Sequence, residues 1–449
     1  MPESRVKKKI LIISHDKIGS AMAGPGIRYH YMAEILSDDF DVTIGFFDPT
    51  YLPENKFSRS YSVQNIPVHE FQKHFIGFDI IITHWLNEGM IAFSNSQDIF
   101  LVFDLYVPGP VENLAVSLYG NKQVKREDDF AYNRALGMYK RFLENGDLFL
   151  FSNRRQLDYW LGFAFGTSQI QLSTYAKRPL YDRFIYAPMG IDTKTPLAHT
   201  KNVMRKVLPG ISSDSKVLLW TGGIWGHFDA QTLIHAMKRL NKEYSDIKLV
   251  FFGTQHPNPN VPEMKESLDT RSLAKELGLD GKTVFFKDGW VKYPERVNYL
   301  LEADAAVSTH KASVETEFAH RTRILDHLLA GLPTVATTGD YFSDEVIGPK
   351  NLGIVVPPND EEALAVAILK VFEPKKRSEI KKNVLAARSE FDWQVTMRPL
   401  IDNLNHQPNK LTRLKTAPNL TVNSKPVRLA KKVLPVPVKK ALIRTLRIK

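Results

Sequence analysis

One order of residues occurs twice along this chain: an apolar run, a glycine-rich segment, a helix-like stretch and a second apolar run. Its first appearance is Lys9–His15, GSAMAGPG, Ile27–Leu36 and Asp41–Phe47, and its second is Lys216–Trp220, GGIWGHFD, Ala230–Glu243 and Ile247–Phe252. Short apolar runs alternating with helix patterns start a parallel sheet covered by helices. A single hydrophobic core stops growing beyond about 250–300 residues. With 449 residues and a pattern that restarts midway, the chain is therefore predicted to be α/β, with two Rossmann-like doubly wound domains facing across a cleft.

Further strand candidates in the first half are Tyr61–Pro67, Asp79–His84, Ile99–Leu105, Asp147–Ser152 and Arg183–Ala187, with Glu127–Glu144 as a cover helix. In the second half they are Thr283–Phe286, Ala305–Thr309, Thr334–Thr337 and Gly353–Val356. Helices are expected at Arg271–Leu277, Tyr293–Ala303, Arg321–Ala330 and Glu361–Phe372. The predicted division is residues 1–190 for an acceptor-side domain and 191–385 for a donor domain. A helix over 386–408 is expected to cross back to the first domain, ahead of a basic tail over 409–449. The Pro-rich HPNPNVPE, His256–Glu263, follows a strand and is read as a loop at the rim of a site.

The chain has no cysteine, which excludes disulfides, thiolate metal sites and cysteine nucleophiles and fits a reducing cytoplasm. The opening MPESRVKKKILIISHD has too short an apolar run for a secretory signal, and nothing reaches the roughly 20 apolar residues that span a bilayer. The net charge of +11 is concentrated at one end: residues 409–449 carry 12 Lys or Arg and no Asp or Glu, which leaves the body at −1. The body has no basic stripe dense enough to follow a nucleic-acid backbone, so no specific nucleic-acid partner is expected. In KPVRLAKKVLPVPVKKALIRTLRIK, basic residues alternate with Val, Leu and Ile, a composition suited to an anionic membrane surface. The expected location is cytoplasmic, peripheral at the inner face of the cell membrane.

The densest chemistry lies in HKASVETEFAHRTRILDHLLAGLPTVATTGD, His310–Asp340. Read as a strand end, a helix and a second strand, it places Glu315, Glu317, His320, Arg321, Arg323 and Asp326 where an anionic ligand could be held at a helix start. Guanidinium groups bind phosphate bidentately, and a carboxylate such as Asp326 can accept both hydroxyls of a ribose.

These pieces resemble the GT-B glycosyltransferases of the large retaining family 4, the group 1 glycosyl transferases. The segment ending DHLLAGLP carries the likeness most specifically, and the resemblance extends over roughly residues 8–405. It implies a retaining glycosyltransferase that moves a sugar from a nucleoside-diphosphate sugar to an acceptor hydroxyl. Asp326 takes the ribose-contacting acid position, and the donor-sugar position falls on Phe318, with Glu317 one residue early. The family's Arg and Lys after the second glycine loop are missing, because Gly222 to Asp229 holds neither; Arg321 and Arg323 are then the expected diphosphate ligands. The turn with Gly289, Trp290 and Val291 is implied to line the nucleobase.

Gly24 and Gly26 would let the first loop approach a ligand, and Gly222 and Gly223 would pass backbone beside the β-phosphate. In the first half His15, Asp16, His84 and Trp85 end strands towards the cleft. Where family members place a histidine near the reacting sugar, this chain offers Asp104, which would orient sugar hydroxyls or take the acceptor proton. The catalytic candidates are thus Asp104, His84, Glu317 and Arg321. No cofactor or metal is expected beyond the donor itself, since His, Asp and Glu fall at no familiar ligand spacing. The expected acceptor is a lipid-linked or cell-surface glycan precursor. A noncatalytic sugar-nucleotide-binding partner subunit and a GT-B epimerase or phosphorylase are the alternatives.

Overall fold

In the computed structural model, the described residues are 7–48, 59–120, 123–170, 172–176, 179–254 and 263–406. The basic tail and most of the His256–Glu263 rim lie outside them. Two parallel sheets organise the chain. The first has 7 strands, β1 (Lys9–Ser14), β2 (Asp41–Phe46), β3 (Ser62–Asn65), β4 (Ile80–Thr83), β5 (Phe100–Asp104), β6 (Leu148–Phe151) and β7 (Phe184–Tyr186). They lie in the order β3-β2-β1-β4-β5-β6-β7. The second has 6, β8 (Lys216–Thr221), β9 (Ile247–Phe252), β10 (Val284–Lys287), β11 (Ala305–Ser308), β12 (Thr334–Thr337) and β13 (Gly353–Val356), in the order β10-β9-β8-β11-β12-β13.

Both orders reverse beside their first strand, between β1 and β4 and between β8 and β11. At such a reversal the flanking loops diverge to opposite faces and leave a crevice beyond the carboxyl ends of the strands. The sequence favours this buried parallel arrangement because the central strands are apolar on both faces. Ile10, Leu11, Ile12 and Ile13 are all fully buried, as are Val217, Leu218, Leu219 and Trp220.

Local signals fix where the helices start and stop. The Asp229 carboxylate accepts from the Thr232 amide and begins the helix Ala230–Leu240, whose buried face holds Leu233, Ile234, Met237 and Leu240. The helix Arg323–Ala330 ends at Gly331 with φ 71°, a left-handed cap that needs glycine. The first half also contains helices at Gly109–Tyr119 and Arg154–Gly166 that the strand and helix expectations above do not include.

The last helices, Trp393–Thr396 and Arg398–Asn405, pack on the first half. Trp393 stacks on Tyr31 at 5.1 Å, Asn403 donates to the Asp182 carbonyl at 3.1 Å, and Asn405 donates to Asp39 at 3.0 Å.

Candidate active site

A cleft of about 1130 Å³ runs between the carboxyl edges of the two sheets. His84 and Asp104 border it from the first half; Gly222, Gly223, Trp290, Val291, Arg321, Arg323 and Asp326 border it from the second. The topology brings these distant positions together, since β4, β5 and β8 end on it and the Arg323–Ala330 helix begins on it.

On the second-half wall the glycine turn and the arginines form one unit. Gly222 has φ 80° and open space where a Cβ would sit. The Gly223 carbonyl accepts from Arg323 Nη2 at 2.8 Å. The Arg323 guanidinium lies 3.7 Å from the Phe228 ring centroid and 4.7 Å from that of Trp220. Arg321 donates to both oxygens of Glu315, at 2.9 and 2.7 Å. After these contacts Arg321 Nε and Arg323 Nη1 remain shut off from solvent with no hydrogen-bond partner. Burial and the neighbouring Arg321 charge push the Arg323 pKa well below its ordinary value, and Asp326 opposes them.

His227, in the same turn, is held neutral. Burial lowers its pKa most, followed by the charges of Arg321, Arg323, His310 and Lys311. Lys311 supplies the last of these charges without itself bordering the cavity. Its Nζ donates to Glu266 at 2.7 Å and to the Gly226 carbonyl at 3.0 Å.

Asp326 faces the cleft from the first turn of its helix and pairs with Arg296 at 3.0 Å. Arg296 rests on the Tyr293 ring at 3.5 Å, and the Tyr293 hydroxyl donates to Tyr31 of the first half at 3.2 Å. One oxygen of the acid is thus engaged and fixed in direction.

The first-half wall is different. Asp104 is fully buried and takes Arg28 Nε and Nη2 on its two oxygens at 2.6 and 2.7 Å. A carboxylate so occupied holds the wall together and has no oxygen placed to orient sugar hydroxyls or accept a proton, which corrects the role expected for it. His84 borders the cleft; its Nδ1 meets the Tyr29 hydroxyl at 3.3 Å, and its ring lies 4.5 Å from that of His15. Burial, aided by His15, lowers the His84 pKa to about 3, so the ring is neutral. His15 Nε2 lies 3.1 Å from the Trp85 carbonyl, and Asp16 accepts from the Lys17 amide at 2.9 Å.

Two other expectations are corrected. Glu317 is exposed and does not border the cleft; Glu315 is the acid of that short helix, Val314–Phe318, that does. Gly24 borders the cavity, but Gly26 does not: a Cβ there would lie 2.2 Å from the Lys17 carbonyl oxygen, so this glycine serves packing of the loop.

Contacts between the halves hold the segment that precedes Arg321. Gln156 donates to the Phe318 carbonyl at 3.0 Å and Asn153 to the Ala319 carbonyl at 3.4 Å. Arg155 reaches Asp344 at 2.9 Å, Glu345 at 3.0 Å and the Gly339 carbonyl at 2.7 Å. All three start the Arg154–Gly166 helix or cap it.

Residues 215–373 match the family described as Glycosyl transferases group 1. No curated protein matches the sequence. Among solved structures, the sucrose-phosphate synthase of Thermosynechococcus elongatus is similar at TM-score 0.63 and 17% identity, covering 90% of this chain and 100% of that one. Anabaena HepE in complex with UDP-glucose is similar at TM-score 0.56 and 13% identity, over 89% and 99% of the two chains. WaaG, a glycosyltransferase involved in lipopolysaccharide biosynthesis, is similar at TM-score 0.53 and 15% identity, over 88% and 98%.

Proposed function

We propose that this GT-B-fold chain, related through residues 215–373 to the group 1 glycosyl transferases, moves a sugar from a nucleoside-diphosphate sugar to an acceptor hydroxyl with retention of configuration. The observation that carries this reading is the pair of unpartnered guanidinium atoms, Arg321 Nε and Arg323 Nη1, in the wall beside the Gly222–Gly223 turn. A buried guanidinium N–H without a hydrogen-bond partner is costly, and an incoming anion that accepts from it relieves the cost. In the transfer, the bond from the anomeric carbon to the diphosphate breaks and its electron pair leaves on phosphate. Fixed donors aimed at that charge lower the barrier, because they are already oriented when it develops.

In this reading Gly222 and Gly223 bring backbone beside the diphosphate, Asp326 accepts the ribose hydroxyls, and Trp290 and Val291 line the base. His84, neutral, borders the sugar from the other half. The acceptor is a lipid-linked or cell-surface glycan precursor, and the enzyme works at the inner face of the membrane. The run of basic and aliphatic residues over 425–449 supports this, as does the likeness to WaaG, whose description names lipopolysaccharide biosynthesis. Among the described residues no helix is long and apolar enough to cross a membrane.

Calorimetry with UDP, GDP and ADP tests the donor site. One of them binds, and Arg323→Met weakens every binder by a similar factor, because the contact is to phosphate and not to base. Unchanged affinity in the variant removes the role given to Arg323. Binding without release of nucleoside diphosphate from any sugar donor favours the noncatalytic subunit.

A further inference from the structure

The second glycine turn holds no lysine or arginine, but it does hold His227. Backbone bonds stitch this residue to the end of β11. The Lys311 amide donates to the His227 carbonyl at 3.0 Å, the Asp229 amide to the Thr309 carbonyl at 3.1 Å, and Phe228 bridges to His310 between them. The ring of His227 borders the cleft, and among the described residues it makes no hydrogen bond or ion pair. Its nitrogens are not sealed from solvent as Arg321 Nε and Arg323 Nη1 are. One phenyl ring gathers the three side chains: the Phe228 centroid lies 4.5 Å from the His227 ring, 5.2 Å from the Arg321 guanidinium and 3.7 Å from that of Arg323.

We propose that His227 is a third ligand of the donor diphosphate and carries a positive charge only while the diphosphate is bound, its proton coming from solvent. The inference rests on the donor site proposed above and adds to it a coupling between donor binding and proton uptake. A neutral imidazole offers a single N–H, whereas the protonated ring offers two, and its bonds to phosphate oxygens are charge-assisted. The fixed backbone holds the ring at the turn before the anion arrives.

The charges around His227 set the direction of the coupling. From the second half, Arg321 is paired with Glu315, Lys311 with Glu266 at 2.7 Å, and His310 lies 3.3 Å from Asp340. Arg323, among the described residues, has no carboxylate bonded to it. Asp229 is spent on the Thr232 amide. From the first half, the helix Gly109–Tyr119 brings Glu112, whose charge is felt by Arg321, and Tyr119, whose ring lies 4.8 Å from Lys311 Nζ. Burial, and then Arg321 and Arg323, keep the imidazole neutral. A diphosphate laid against these cations reverses the local field and favours the protonated ring. Affinity for the diphosphate should therefore fall as pH rises through the higher pKa of the bound state.

The test is calorimetry of UDP, GDP and ADP on the full chain at pH 7.5, above the titration of a terminal phosphate near pH 6. Each titration is run in HEPES and in Tris, whose heats of ionisation differ. The wild-type heat should differ between the buffers by the amount that corresponds to uptake of up to about one proton per bound nucleotide. His227→Gln should abolish that difference and weaken the binder about tenfold, the scale of one charge-assisted hydrogen bond, with the melting temperature unchanged. Wild-type heat that is independent of buffer overturns the proposal whatever the variant does. Proton uptake that persists in His227→Gln overturns it too, because Arg323 or the nucleotide would then be the group that titrates. Failure of the wild-type protein to bind any of the three nucleotides overturns the donor-site reading itself.

Discussion

The two walls of the cleft use arginine in opposite ways. Arg28 in the first half is fully buried, and both oxygens of Asp104 answer it. Arg323 in the second half meets only a carbonyl and two aromatic faces, and its Nη1 stays unpartnered. One arginine has its charge answered by a carboxylate, although its Nη1 is likewise buried without a hydrogen-bond partner; the other, among the described residues, has no carboxylate bonded to its guanidinium. Charge count alone does not separate them. What separates them is whether a carboxylate lies within hydrogen-bonding distance and free to pair.

The comparison would break most visibly through Asp104. Asp104→Ala should destabilise the protein by about 3–5 kcal/mol in denaturant unfolding, because it strands the Arg28 cation in the core. Changing both partners, Arg28→Met with Asp104→Leu, should recover most of that loss. Equal stability of wild type and Asp104→Ala would show that the pair is not the structural unit described.

Arg323→Met should behave in the reverse sense. It should cost about 2–4 kcal/mol of transition-state stabilisation in kcat/KM, the scale of one lost electrostatic donor. Its melting temperature should hold or rise, since an unpaired buried cation is replaced by an apolar side chain. A variant that lost stability and kept its rate would reverse the two walls' roles.

Acid should weaken the fold through histidines held neutral. The pKa values of His84 and His327 are lowered to about 3 and that of His30 to about 4, chiefly by burial. An unfolded histidine titrates near 6.5, so their contribution is complete above about pH 6.5 and is lost as pH falls towards the folded values. Each adds a slope of up to about 1.4 kcal/mol per pH unit in that window. Unfolding curves at pH 7.5 and 5 should differ, and His84→Gln should reduce the difference.

The smallest effect belongs to Glu317. Exposed and away from the cleft, it should change stability by no more than about 0.5 kcal/mol on substitution by alanine and leave donor turnover unaltered. A large loss of turnover would return it to the site.

The strands were legible in the sequence almost to the residue, from Lys9–Ser14 to Gly353–Val356, because buried parallel strands are uninterrupted apolar runs bounded by glycine and polar residues. The helices Gly109–Tyr119 and Arg154–Gly166 were not. The first begins in VPGP, which reads as a turn, and the second, RRQLDYWLGFAFG, scatters aromatic residues around its circumference. Three of the expected residues that border the cleft, Arg321, Arg323 and Asp326, sit on one segment, where local sequence places them together. The site was opaque where two halves meet: Glu317 was chosen, whereas Glu315, two residues away on the same short helix, borders the cleft. Which acid of such a helix faces a cavity depends on a neighbour more than 150 residues distant, for which local periodicity carries no information.

The bonds from Gln156 to the Phe318 carbonyl and from Asn153 to the Ala319 carbonyl carry a temporal consequence. The strand of chain that delivers Arg321 is latched from the opposite lobe, so separating the lobes would slacken the segment that carries this guanidinium at the same moment that bulk water is admitted. If the chain is the transferase proposed above, a donor bound to the parted protein would meet solvent without that charge beside it.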